Sequence, residues 1–160
     1  MRRSDDELKG ICFSMRFLSR TPVRTFLIYP LVVLLWELLT QGGSIEVNLW
    51  GLPLMIWGYL QYRLCGKYRG TRGGGGPGPE IPAERLVSTG LYAYTRNPMY
   101  LGHIIFLIGL SLTLKSWFAA VITLAVAIWF HFRVLADEAS LARQLGAPYV
   151  AYTRGIKRWI

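Results

Sequence analysis

Apolar residues gather in four blocks along this chain: 25–40 (TFLIYPLVVLLWELLT), about 47–64 (VNLWGLPLMIWGYLQYRL), 99–114 (MYLGHIIFLIGLSLTL) and 117–132 (WFAAVITLAVAIWFHF). Each is near the short end of the roughly 17–25 residues a spanning helix needs, with flanking Trp and Tyr to complete it at the interface. None alternates as a membrane β-strand must, and lipid tolerates no unpaired backbone. The pattern predicts an all-α integral membrane protein with about four transmembrane helices. Lys115 and Ser116 alone separate the last two blocks, so these should form a tight C-terminal helical hairpin.

The polar stretches fill out one expected domain over residues 1–160: a segment 1–24, two spans in 25–64, a loop 65–98, the hairpin 99–132 and a helical tail 133–160. Leu8, Ile11, Met15 and Leu18 keep a helical spacing, which places 5–19 along the membrane surface. Asp5, Asp6 and Glu7 argue against a signal peptide there. Residues Arg69 to Pro82 (RGTRGGGGPGPEIP) have the composition of a flexible linker. Gly73 to Gly78 satisfies G-x-G-x-x-G, but no predicted strand precedes it and no helix follows, so the dinucleotide reading fails on context.

Composition supports lipid as the solvent. Hydrophobic residues make up 52% and charged residues 17% of the chain, against about 25% charged in soluble domains. Mean hydropathy of +0.32 excludes disorder. Two cysteines, Cys12 and Cys65, make no disulfide framework, and neither has a C-x-x-C neighbour, so no metal site is expected. The net charge is +9, and of the 18 Lys and Arg residues all but Lys115 fall on one side of the four blocks. By the positive-inside rule both termini and the 65–98 loop are cytoplasmic, in the inner or plasma membrane if the cell is bacterial. The basic excess then serves topology and anionic lipid, not nucleic acid.

Two clusters look like chemistry. The run from Glu84 to Gly102 is dense in polar and aromatic groups where a helix enters the bilayer. Locally, Asn97-Pro98 is a helix start, with Asn97 the N-cap and Pro98 in the first turn. The tyrosines suit an interfacial belt. A helix start does not explain Arg96 among so many hydrogen-bonding rings, and a helix N-terminus also favours an anionic ligand group. The second cluster, Arg133 to Leu141, lies where the fourth block ends. If the helix continues, Arg133 and Asp137 share a face as an i,i+4 pair. Hairpin topology puts both clusters at one cytoplasmic mouth, a plausible cofactor pocket.

The run LVSTGLYAYTRNPMYLG, followed beyond the hairpin by DEASLARQLGAPYVAYTRGIKRWI, resembles the isoprenylcysteine carboxyl methyltransferase family. More broadly it resembles the phospholipid methyltransferase group of integral-membrane enzymes. The shared pattern is carried by Gly90/Tyr92, Arg96 to Gly102, Asp137/Glu138, Leu141 and Gly146/Tyr149, and the resemblance covers residues 81–160. It implies S-adenosyl-L-methionine as methyl donor and a lipophilic or membrane-partitioning acceptor, a carboxylate, amine or thiol. By position, the family's cofactor contacts fall on Glu84, Arg85, Leu86, Val87, Tyr92, Asn97, Pro98, Met99, Tyr100 and Asp137. Its substrate-carboxylate arginine falls on Arg133, the candidate catalytic residue. Asp137 and Glu138 could accept from the donor's ammonium or ribose hydroxyls, and Arg96 could hold its carboxylate. Asn97 and Glu84 stand where His is usual, and Asp137 where Glu is usual. These departures bear on the acceptor more than on the donor.

Other readings stay open. A sterol-reductase-like enzyme would use NADPH, with Arg69 and Arg72 as a 2′-phosphate site. A non-enzymatic four-helix transporter or scaffold would use an intramembrane acid, for which Glu37 is the candidate. For His103 and His131, each inside an apolar block, a buried hydrogen-bonded role is favoured over a general base. Gly102, Gly109 and Ala119, Ala120, Ala125 and Ala127 could permit close helix packing, while oligomeric state is not readable.

Overall fold

The structure, a computed structural model, describes residues 20–43, 45–74 and 84–160. The expected surface helix over 5–19, Cys12 and most of the glycine-rich linker lie outside the described residues. Every regular element described is helical, and the chain divides between Glu46 and Val47 into two compact units.

In the first unit, helix α1 spans Thr21–Thr40. Its turn Arg24–Ile28 is a π-turn, in which the Tyr29 N–H reaches back to the Arg24 carbonyl. Pro30 supplies the reason: it has no N–H to donate, and its ring crowds the preceding turn, which the wider turn relieves. The buried positions are Thr21, Thr25, Val33 and Glu37, a mostly polar stripe at multiples of four residues. The exposed face carries Leu27, Leu31, Leu35 and Leu39. That polarity is the reverse of a soluble amphipathic helix and suits lipid. Glu37, the intramembrane acid of the transporter reading, is buried and accepts a hydrogen bond from the Gln41 amide.

In the second unit a 3₁₀ turn, Leu49–Gly51, leads into helix α2, Leu52–Gly73. Helix α3 is Pro98–Thr113, α4 is Trp117–Leu145 and α5 is Ala147–Gly155. Helices α2 and α3 run antiparallel and make the most extensive packing in the unit. Glycines make it possible. A Cβ on Gly58 would meet the Phe106 amide nitrogen at 2.5 Å, and one on Gly109 the Met55 nitrogen at 2.6 Å. Backbone meets backbone here, so the close packing expected of Gly102 and Gly109 is realised with Gly51 and Gly58 as their counterparts. The hairpin is as tight as predicted: Lys115 takes a positive φ of 48°, and the Ser116 hydroxyl caps α4 by accepting from the Ala119 N–H at 3.0 Å.

One boundary differs from the sequence expectation. Helix α2 runs through Arg69 to Gly73 rather than giving way to linker. Its last turns are held by the Thr71 hydroxyl donating to the Lys67 carbonyl at 3.1 Å and by Arg72 lying 4.7 Å from the Tyr68 ring centroid. Helix α4 continues well past its apolar part, and its 29 residues give a rod of about 44 Å, longer than a roughly 30 Å hydrocarbon core. Helices α1 and α4 are each long and apolar enough to cross a membrane, while α3 is apolar and shorter. Only 22% of the apolar window of α4 is buried, so it is not the core helix of a soluble fold.

The α2–α3–α4 core is built on Leu107, Phe130, Val134 and His103. The His103 ring lies between Tyr62, at 4.7 Å, and Phe130, at 5.6 Å. His103 is thus buried as expected, whereas His131 is exposed. Both polar clusters sit at the end of the hairpin away from Lys115, where α3 begins and α4 leaves its apolar part.

Candidate functional site

Three segments converge at that end. The connection from α2 returns along Arg85–Val87, where the Arg85 N–H donates to the Gly73 carbonyl at 2.7 Å. Val87 then packs with Cys65, Tyr92 and Met99 in a small core. A 3₁₀ turn, Gly90–Ala93, carries Tyr92 inward. Gly90 has φ of 65°, and a Cβ there would sit 3.3 Å from the Tyr68 ring, so this turn favours glycine twice over. Burial pushes the Tyr92 phenol well above its ordinary range and the Cys65 thiol up to about 12.

Asn97 occupies the N-cap position of α3, yet its side chain makes no cap bond. It donates instead to Glu138 Oε1 at 3.0 Å and to the Arg158 carbonyl at 3.2 Å. Glu138 is buried and takes both arginines: Arg96 at 3.2 Å and the Arg158 guanidinium at 3.1 Å, each on Oε2. The tail is pinned further, with the Arg96 N–H donating to the Lys157 carbonyl at 3.0 Å and the Thr95 hydroxyl to the Arg158 carbonyl at 3.1 Å. The second carboxylate is arranged differently. Asp137 accepts from the Tyr100 hydroxyl at 2.7 Å and from Arg133 Nε at 3.1 Å, and it stays partly exposed. Neighbouring side chains on one helix thus diverge, Glu138 into the fold and Asp137 toward open space.

That space is a cavity of about 260 Å³. Of the residues singled out from sequence, Arg85, Leu86, Val87, Tyr92, Arg96, Asn97, Pro98, Met99, Tyr100, Arg133 and Asp137 line it. Glu84 and Glu138 do not. Glu84 is exposed beside Gly74, and Glu138 is turned into its arginine pair. Arg69, Leu141 and Tyr149, also marked in the sequence, line the cavity too, and the lining adds Ser140, Leu145 and Tyr152. Ser140 and Leu145 fall on the face of α4 that carries Asp137 and Leu141, so a helical extension of that face would have found them. Tyr149 and Tyr152 both come from α5; Tyr149 belongs to the sequence pattern, whereas Tyr152 has no sequence signal of its own. Tyr152 donates its hydroxyl hydrogen to the Tyr92 carbonyl at 2.5 Å. The Tyr149 hydroxyl takes no hydrogen bond from the described residues. Burial, reinforced by neighbouring groups, raises both phenols to about 12. Arg69 lines the cavity but Arg72, stacked on Tyr68, does not, so the proposed 2′-phosphate pair is not assembled.

The phospholipid methyltransferase family model matches residues 47–147, more than half of the chain. The chain belongs to the phospholipid methyltransferase family. The family match begins where the second structural unit begins and includes every cavity residue except Tyr149 and Tyr152. A curated relative, protein-S-isoprenylcysteine O-methyltransferase of Schizosaccharomyces pombe, is 32% identical over 73 residues, 44% of this chain and 30% of that protein. The chain therefore spans under a third of the length of this relative. No solved structure matches the chain significantly. Membership in the family, with its apolar helices, makes this a membrane protein.

Proposed function

We propose that the chain is an integral-membrane methyltransferase that transfers a methyl group from S-adenosyl-L-methionine to a lipophilic or membrane-partitioning acceptor. The observation that carries this reading is the convergence of the two polar clusters on one cavity at the end of the apolar hairpin, joined by Tyr100 and Asp137 at 2.7 Å. In this reading the blocks 25–40, 47–64, 99–114 and 117–132 are four spans of one domain, and both termini and the cavity face the cytoplasm.

The cavity chemistry fits such a donor. Leu86, Val87, Met99, Leu141 and Leu145 give an apolar wall for a flat base, and Asp137 offers a partly exposed carboxylate for an ammonium or a ribose hydroxyl. The bound donor supplies a methyl group already activated on a sulfonium. Catalysis then asks the chain mainly for orientation, an in-line approach of acceptor and methyl, rather than for a strong acid or base. Arg133, at the end of the apolar part of α4, can extend along lipid and hold its guanidinium at the cavity mouth. Its planar fork suits an anionic group of the acceptor. Tyr100 and Arg133 fix the Asp137 carboxylate between them, while Glu138 holds Arg96, Asn97 and Arg158 in register as a buried ionic node.

The test is methyl transfer itself. Purified protein in lipid nanodiscs, given methyl-labelled S-adenosylmethionine and a membrane lipid extract, should move label into the organic phase. No incorporation from lipid extract or from small thiol, amine and carboxylate acceptors would sink the reading.

A further inference from the structure

Helix α5 presents two phenols near the cavity, and they are spent differently. Tyr152 gives its hydroxyl hydrogen to the Tyr92 carbonyl at 2.5 Å and so ties the tail to the 3₁₀ turn. Tyr149, whose ring centroid lies 6.0 Å from that of Tyr152, is only 4% exposed and lines the cavity. Its hydroxyl takes no hydrogen bond from the described residues. A hydroxyl on a cavity-lining residue that no described group of the fold engages is available to donate to a ligand seated in that cavity.

The surroundings say what kind of partner. Both nearby carboxylates are already engaged, Glu138 by Asn97, Arg96 and Arg158, and Asp137 by Tyr100 and Arg133. Around Glu138 two guanidiniums face one carboxylate, which leaves one positive charge in excess. A phenol that donates, beside a net positive node, suits a group that is both anionic and a hydrogen-bond acceptor. Burial and the neighbouring Glu138 raise the phenol to about 12, so it keeps its proton throughout the physiological range.

We propose that Tyr149 is a ligand-binding residue that donates its hydroxyl hydrogen to the carboxylate at the amino-acid end of the methyl donor. The proposal rests on the donor reading above. The remainder of the donor, its adenosine part, then lies along the apolar wall and makes no use of this hydroxyl.

Three ligands and two variants test it. S-adenosylmethionine and S-adenosylhomocysteine both carry the amino-acid end, whereas methylthioadenosine lacks it. Affinities are measured by titration of the full chain in detergent. Tyr149→Phe should weaken the first two by roughly 10-fold or more, as expected for a hydrogen bond to a charged group. It should leave methylthioadenosine binding unchanged. Because Phe removes only the hydroxyl, the melting temperature of the ligand-free protein should not fall. Tyr152→Phe, which loses a bond inside the fold, should lower the melting temperature and affect all three ligands alike. Equal losses for the three ligands in Tyr149→Phe, or no loss at all, overturns the assignment of Tyr149 and leaves the donor reading standing. A wild-type chain that binds none of the three overturns both.

Discussion

Tyr100, in the first turn of α3, donates its hydroxyl hydrogen to Asp137 on α4 at 2.7 Å, and Arg133 approaches the other oxygen of the same carboxylate at 3.1 Å. One aspartate thereby joins the two helices of the hairpin where they leave its apolar part. The same geometry gives Arg133 two possible duties, bracing Asp137 or orienting an anionic acceptor, and Arg133→Lys separates them. A lysine keeps the charge but not the planar fork. Under the acceptor role, turnover should drop at least 10-fold while donor affinity changes less than about 2-fold, because one lost charged hydrogen bond is worth roughly 1.5–3 kcal/mol. Retained turnover with a lipid acceptor removes Arg133 from the reacting centre.

Glu138 is expected to behave as a structural group. With its carboxylate 9% exposed between Arg96 and Arg158, its removal leaves two guanidiniums without their counter-charge. Breaking a buried pair from one side costs about 3–5 kcal/mol. Glu138→Gln should therefore lower the melting temperature clearly, whereas Asp137→Asn, at a partly exposed site, should lower it little. Thermal unfolding of the two variants in the same detergent makes the comparison, and equal melting temperatures would speak against the buried node.

Glycine substitutions in α2 should have opposite signs within one helix. An alanine at Gly58 puts its Cβ 2.5 Å from the Phe106 nitrogen, and backbone cannot step aside cheaply. Overpacking of that kind costs about 1–3 kcal/mol. Gly70 has nothing within 4 Å of its added Cβ, so Gly70→Ala should stabilise by roughly 0.5–1 kcal/mol through helix propensity. A Gly58→Ala protein as stable as Gly70→Ala would contradict the glycine-lined contact of α2 and α3.

Much of this architecture was legible in the chain. The apolar blocks give the helices, and a two-residue separator gives the hairpin, because both signals are local. The non-local contacts were not. Asn97-Pro98 reads as a capped helix start, but the Asn97 amide is drawn to Glu138 and to the Arg158 carbonyl, 41 and 61 residues further on. Arg69 to Gly73 reads as linker, yet the Tyr68 ring and the Thr71 hydroxyl keep the helix going. Asp137 and Glu138 look equivalent in sequence. Only the arrival of Arg96 and Arg158 on one of them divides their roles.

Cys65 offers a pH test. Its thiol is buried and raised to about 12, while in the unfolded chain it ionises in the ordinary thiol range. Between those two values the folded chain holds a proton that the unfolded chain has lost. Stability is thus fully present below the ordinary range and falls as pH rises toward 12. Cys65→Ala should flatten the first part of that decline, leaving the part due to Tyr92, Tyr149 and Tyr152. Melting temperatures measured from about pH 8 to pH 11 make the check. An unchanged slope in the variant means the thiol is not shielded.

The central claim is that the cavity beside Asp137 binds S-adenosylmethionine. Direct titration of the purified full chain with S-adenosylmethionine and with NADPH, repeated on Asp137→Ala, tests it in one measurement. Saturable binding of S-adenosylmethionine, weakened in Asp137→Ala by roughly 1–3 kcal/mol, and no saturable binding of NADPH, is the predicted result. Tighter binding of NADPH, or S-adenosylmethionine affinity indifferent to Asp137 in a folded variant, would contradict it.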